Sequence, residues 1–150
     1  MARRFQFRLE TLLRVRQLRE REAKRNVAAQ RAEIARLDRL NEQTAEEIAR
    51  QQEILLQGQQ RGVLDPLTLQ RGRAWIGHLR RTIAQRHVQR AEMVSRLREL
   101  QALWQAARTQ ARIIEKLRER RWTEYRRTRD RQEQAAADEL AQQLHGYDLR

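Results

Sequence analysis

From Phe5 to Leu56 the chain has neither Gly nor Pro and is built mainly of strong helix formers. Its apolar residues recur at helical spacing. Phe5, Leu9 and Leu12 stand four and then three apart, and Val27, Ile34, Leu37, Ile48 and Leu55 share one heptad frame. That frame also points Asn41 inward, with Gln30, Thr44 and Gln51 beside it. The seam is therefore thin and partly polar, and polar inward residues fix register at a cost in stability. Glu10 with Arg14, Glu20 with Lys24 and Glu46 with Arg50 are acid-before-base pairs at i, i+4. Each such pair supports a helix by a few tenths of a kcal/mol.

Residues 58–65, Gly-Gln-Gln-Arg-Gly-Val-Leu-Asp, break the pattern. Gly58 and Gly62 can take positive φ and end a helix. Asp65 followed by Pro66 reads as an N-cap and a first helical residue. Gly72 and Gly77 each cost about 1 kcal/mol relative to Ala in a helix, so the first turns after Pro66 are expected to be loose or to form a separate short helix. From Ile76 the seam is plain: Ile76, Leu79, Ile83, Met93, Leu97, Leu100, Trp104, Ala107, Ala111 and Ile114, interrupted by Arg86 and Arg90. Sustained three-four spacing of this kind argues for coiled coil rather than disorder. Past Ile114 the stripe drifts through Leu117 to Trp122 and Tyr125, as a stutter would do. Residues 126–136 are almost wholly polar or Ala, Leu140 and Leu144 follow, and Gly146 is expected to end the helix.

A helix with a narrow apolar stripe does not stand alone, and the short turn lets the second helix fold back on the first. The expected fold is all-α: one long antiparallel two-helix coiled-coil hairpin over residues 1–150. Helix 1 spans about 5–57, the turn about 58–65 and helix 2 about 66–145. The surplus of the second helix, near residues 125–145, has no partner in this chain. The rival, a parallel dimer of extended helices, ignores the Gly/Pro turn.

Composition narrows the chemistry. The 150 residues include 33 Lys+Arg against 20 Asp+Glu, with five Gly, one Pro and no Cys. No disulfide or Cys-based metal site can form. No run of about 18 apolar residues offers a membrane span. The basic start resembles a signal peptide, but Arg8, Glu10, Arg14 and Arg16 interrupt any apolar core, so a cytosolic protein is expected. Catalysis is not expected. There is no phosphate-binding glycine loop, and His78 and His87 are nine apart rather than at the i, i+4 of a helical metal pair. His78, His87 and His145 read as exposed helix residues. Glu46-Glu47 and Asp138-Glu139 are neighbours in sequence and so point in different directions on a helix. No cofactor or metal is expected.

The charge is more informative. Residues 3–25 carry nine basic groups against three acids, and residues 112–131 carry nine against four. An antiparallel hairpin sets these stretches side by side at the end bearing the termini. Such a surface attracts an acidic partner or nucleic acid. Acids interleaved throughout weaken the nucleic-acid reading, and a solvated face in an Arg-rich chain is the plain alternative. Among the aromatics, Trp104 lies on the seam, while Trp122 and Tyr125 either cap the hairpin or are exposed. Trp75, Leu79, Thr82 and Arg86 form an i, i+4, i+7, i+11 stripe near the turn. It serves either turn packing or partner anchoring, since exposed aromatics concentrate at binding hot spots.

Three motifs, in order, carry a resemblance. The start, Phe5-x-Phe7-x-Leu9-x-x-Leu12-Leu13-x-x-Arg16, resembles the opening of the flagellar type III export protein FliJ family. Trp75-Ile76-x-x-Leu79-x-x-x-Ile83 is similar to that family's segment after the turn. The run from Ile114-Glu115-Lys116-Leu117-Arg118-Glu119-Arg120 through Tyr125 to Arg131-Gln132-Glu133-Gln134 and Asp138-Glu139 resembles its closing segment. The resemblance covers nearly the whole chain.

It implies an antiparallel coiled coil similar to the shaft subunit of rotary ATPases, cytoplasmic and without enzymatic activity. Such a protein would insert into the hexameric flagellar export ATPase, promote its assembly or turnover, and touch both the export-gate membrane protein and the export chaperones. Membrane association would be peripheral, at the flagellar base and only through partners. The family's gate contact is an aromatic, a Leu, a small residue and a His at i, i+4, i+7, i+11. Trp75, Leu79, Thr82 and Arg86 stand there, with His87 next to the last. Arg14, Arg16, Arg118, Arg120 and Arg121 are the candidates to face acidic loops of the ATPase ring. The rivals are an injectisome stalk protein of the same fold, a basic coiled-coil nucleic-acid binder, and a structural coiled coil of no particular partner. The Phe-x-Phe-x-Leu start favours the flagellar side.

Overall fold

The computed structural model describes residues 4–148. It is all-α. Helix α1 runs Glu10–Gln60 and helix α2 Pro66–Asp148, and the two pack against each other as a coiled-coil hairpin. Among the described residues there is no strand.

Contacts cluster into two units. One comprises Met1–Arg21 and Gln105–Arg150, the other Glu22–Trp104. In the second unit, Gln30 Nε2 donates to the Met93 carbonyl at 3.0 Å, Arg90 reaches Asp38, and Arg86 reaches Thr44. Partner numbers on α2 fall as those on α1 rise, which is the signature of antiparallel pairing. The first unit shows the same order: Arg118 Nε donates to Glu10 Oε2 at 3.0 Å and Gln17 Nε2 to Glu115 Oε1 at 3.3 Å.

In each unit the core is a seam between its two helical segments. In the turn-bearing unit the seam buries Val27, Ile34 and Leu37 from α1 and Ile76, Leu79 and Leu100 from α2. In the other it buries Leu13, Ala111 and Ile114. Burying a large aliphatic side chain is worth about 1.5–3 kcal/mol. The remaining seam positions, including Ile48, Leu55, Ile83, Met93, Leu97, Trp104 and Ala107, are only half-buried. Two helices alone cannot cover them further. Asn41 is inward as its frame requires, and its side-chain nitrogen and oxygen are buried without a hydrogen-bond partner.

The turn follows from its residues. Gly62 takes φ +69, where a side chain would be strained. Its N–H donates to the Gln59 carbonyl, and the Val63 N–H donates to the Gly58 carbonyl. This double closure satisfies carbonyls in the last turn of α1. Asp65 then caps α2. Its Oδ1 accepts the Thr68 N–H at 2.7 Å, while Pro66, lacking an N–H, opens the helix. The Thr68 hydrogen bond holds the Asp65 carboxyl below the usual aspartate range.

Helix ends differ from the sequence expectation in three places. Helix α1 starts at Glu10, not near Phe5. Residues 5–9 alternate half-buried and exposed, with Phe5, Phe7 and Leu9 turned inward. Residues 4–7 are irregular and residues 8–9 form a turn, closed by the Glu10 N–H donating to the Phe7 carbonyl at 3.1 Å, so the alternation of Phe5, Phe7 and Leu9 is met outside the helix. At its other end α1 runs to Gln60, so the turn begins later than residue 58. Helix α2 passes through Gly146 to Asp148. It is also continuous from Pro66, with no loose or separate first segment. Gly72 has a packing reason to be there: a Cβ would lie 2.6 Å from Leu55 Cδ2, so the missing side chain lets α1 approach.

Candidate partner-binding surfaces

In the unit formed by Met1–Arg21 and Gln105–Arg150, the non-helical segment before α1 lies against α2. The Phe5 ring meets Trp122 edge-on at 5.1 Å and Tyr125 at 5.5 Å, and Trp122 and Tyr125 stack at 5.7 Å. Helix positions three apart are neighbours, so Trp122 and Tyr125 offer one aromatic step onto which Phe5 folds. Trp122 thus does both things that its place in the sequence suggests: it closes the packing and remains 42% exposed. A groove of about 740 Å³ beside the cluster is lined by Arg4, Phe7, Leu9, Leu117, Arg121 and Tyr125, among others.

The five candidate arginines are not equivalent. Arg118 is tied to Glu10 across the helices. Arg121 lies 3.6 Å from Glu124 on its own helix. Arg16 is half-buried, with its Nε buried and without a partner. Arg14 and Arg120 are exposed and have no ion-pair partner among the described residues.

The stripe after the turn is divided in the same way. Trp75 is 46% exposed and stacks on His78 at 5.4 Å. Leu79 is buried in the seam. Thr82 is half-buried and its hydroxyl donates to the His78 carbonyl. Arg86 is spent on α1: its Nη1 donates to Thr44 Oγ1 at 2.8 Å and to the Leu40 carbonyl at 3.3 Å. The stripe runs along the edge of the seam itself, sharing Leu79 with it. Trp75 is therefore the member most open to a partner. His78, His87 and His145 are all exposed.

Sequence reasoning misses two features of these surfaces. One is that Arg86 and Arg90, which interrupt the apolar frame, bridge to α1. The signal is available: both stand at inward positions, where only a partner stabilises a charge. The other is the set of large aliphatics exposed around the turn, which periodicity has no reason to single out.

The sequence matches the family described as flagellar FliJ protein over residues 5–148. The chain belongs to the flagellar FliJ family. The match takes in the non-helical segment before α1, both helices and the turn, so this is the geometry of a FliJ-family hairpin, a flagellar export-related protein. No curated protein and no solved structure matches the chain. Among the described residues, no helix is long and apolar enough to cross a membrane, and no group of three or more His, Asp or Glu could hold a metal ion.

Proposed function

We propose that this chain is a non-enzymatic, cytoplasmic component of the flagellar type III export apparatus that enters the hexameric export ATPase and links it to the export gate and the export chaperones. The observation that carries the reading is the family match across residues 5–148, borne by two helices paired antiparallel. A two-helix pairing with a thin seam presents surface rather than a catalytic cleft, which suits a part that works by contact.

The Arg-rich unit containing both termini is the part that enters the ring, against acidic loops. Within it, Arg14 and Arg120 are the strongest contacts, since neither is committed inside the chain. Trp75 anchors the gate contact, with Thr82 beside it. Leu79 and Arg86 support that contact by holding α2 on α1. The protein would sit at the inner-membrane base of the flagellum.

Reversing Arg14, Arg120 and Arg121 to Glu tests the ring contact without touching the bond between Arg118 and Glu10. Association with the purified ATPase should weaken, and its dependence on salt should shrink. Unchanged affinity at low ionic strength would rule the contact out.

A further inference from the structure

The turn of the Glu22–Trp104 unit is apolar on its outside. Ile54 and Leu56 near the end of α1, Val63 in the turn, Leu67 in the first turn of α2 and Trp75 beyond it are all exposed, Val63 at 76% and Ile54 at 58%. Singly exposed aliphatics are ordinary, whereas five large apolar side chains gathered about one turn mark a contact region.

The distribution identifies the kind of contact. Residues two apart on a helix point about 200° apart, so Ile54 and Leu56 stand on opposite sides of α1. Side chains on opposite sides cannot share one flat protein face. They suit a medium that surrounds the turn, as hydrophobicity around a whole helix does.

The charge agrees. Residues 54–81 contain Arg61, Arg71, Arg73, Arg80 and Arg81, all exposed. None of the five has an ion-pair partner among the described residues. The single acid of the stretch, Asp65, is occupied in capping α2. A crease of about 580 Å³ is lined by Leu55, Leu56, Leu69 and Ile76 together with Gln52, Gln59, Arg73 and Arg80. Aliphatic side chains among guanidinium and amide groups suit an acyl chain beside a phosphate. Trp and Arg flanking aliphatics is also the composition of segments that settle at a bilayer interface.

We infer that the turn inserts directly into the interface of an anionic lipid bilayer, with Ile54, Leu56, Val63 and Leu67 among the acyl chains, Arg61, Arg71 and Arg73 at the headgroup phosphates, and Arg80 and Arg81, about 20 Å further along α2, adding attraction from a distance. It differs from the expectation that membrane association comes only through partners. It is independent of the proposed ATPase contact.

The chain has no cysteine, so a Val63→Cys variant takes one environment-sensitive fluorophore at the tip, and a Gln134→Cys variant takes one on exposed α2 as a control. Both are mixed, as full chains, with vesicles of phosphatidylcholine alone or with phosphatidylglycerol added. The tip label should shift to the blue and be quenched by a quencher carried on the acyl chains, only when phosphatidylglycerol is present. The label at 134 should not respond. Adding Leu56→Glu and Leu67→Glu, with helicity checked by circular dichroism, should lower partitioning about a hundredfold or more, the change expected for keeping two large aliphatic side chains in water. Trp75 is left intact, so a failure here leaves the gate contact unaffected. Absence of vesicle binding would overturn the inference. So would binding that leaves the tip label in water and ignores the glutamates, which would be charge attraction alone. Burial of the label only on adding a protein partner would overturn it as well.

Discussion

Arg90 grips Asp38 across the two helices: Nε donates to Oδ1 at 2.7 Å and Nη2 to Oδ2 at 3.3 Å. The carboxylate hydrogen bond raises the Arg90 pKa above its ordinary value, with Asp38's charge acting in the same direction. One turn along, Arg86 holds Thr44, and Asn41 lies between these levels on α1. The seam is thus polar midway through this unit. Both side chains of the Asp38–Arg90 pair are about two-fifths exposed, which keeps its net worth small. Its role is register: a slipped pairing leaves Arg86 and Arg90 facing apolar seam positions. Replacing Asp38 and Arg90 by Ala, singly and together, should reveal a favourable coupling in thermal denaturation that shrinks as salt rises. Strict additivity at low salt would remove the pair from the account.

Asn41 is the weak point of that layer. Both its polar atoms are buried without a partner, and leaving such a group unsatisfied costs about 1–3 kcal/mol. Asn41→Leu should therefore stabilise the chain by about that amount in urea denaturation, with the unfolding slope unchanged. A loss of stability would mean that the amide has a partner in solution.

Two glycines on α2 separate propensity from packing. A methyl group at Gly77 would have only Arg81 Nη1 near it, at 3.5 Å. Gly77→Ala should therefore stabilise by up to about 1 kcal/mol. At Gly72 the methyl would meet Leu55 at 2.6 Å. Gly72→Ala should lose that gain or turn it into a net cost. Equal melting temperatures for the two variants would contradict the close approach of Leu55.

The cap of α2 makes stability depend on pH. The Thr68 hydrogen bond depresses the Asp65 pKa on folding, so the unfolded chain binds this proton more readily. The contribution is therefore complete above the ordinary aspartate range and is lost as pH falls through it toward the lowered value. Asp65→Asn keeps an N-cap but does not titrate. The melting-temperature gap between the original chain and this variant should narrow on acidification. A gap that is constant with pH would rule the linkage out.

The hairpin is legible in the sequence because a three-four seam, a Gly-bearing break and Asp65-Pro66 each have one physical meaning at that place. The polar layer is half legible: the heptad frame points Asn41 inward and is broken by Arg86 and Arg90, but only antiparallel register brings them together. Phe5 misleads because Phe-x-Phe-x-Leu fits two periods, and packing on Trp122 and Tyr125 holds the segment outside the helix. Gly72 reads as a weak helix position because propensity does not see Leu55. The arginine cluster is visible in the order of residues, while its division into committed and free side chains depends on Glu10 and Glu124 being near in space.

Hydrolysis by the same organism's flagellar export ATPase, measured with and without the purified chain and with co-sedimentation read from the same samples, tests the central claim most directly. The account predicts stimulation together with co-migration, both reduced by reversing Arg14, Arg120 and Arg121. No stimulation and no co-migration, from a chain shown to be helical, would contradict it.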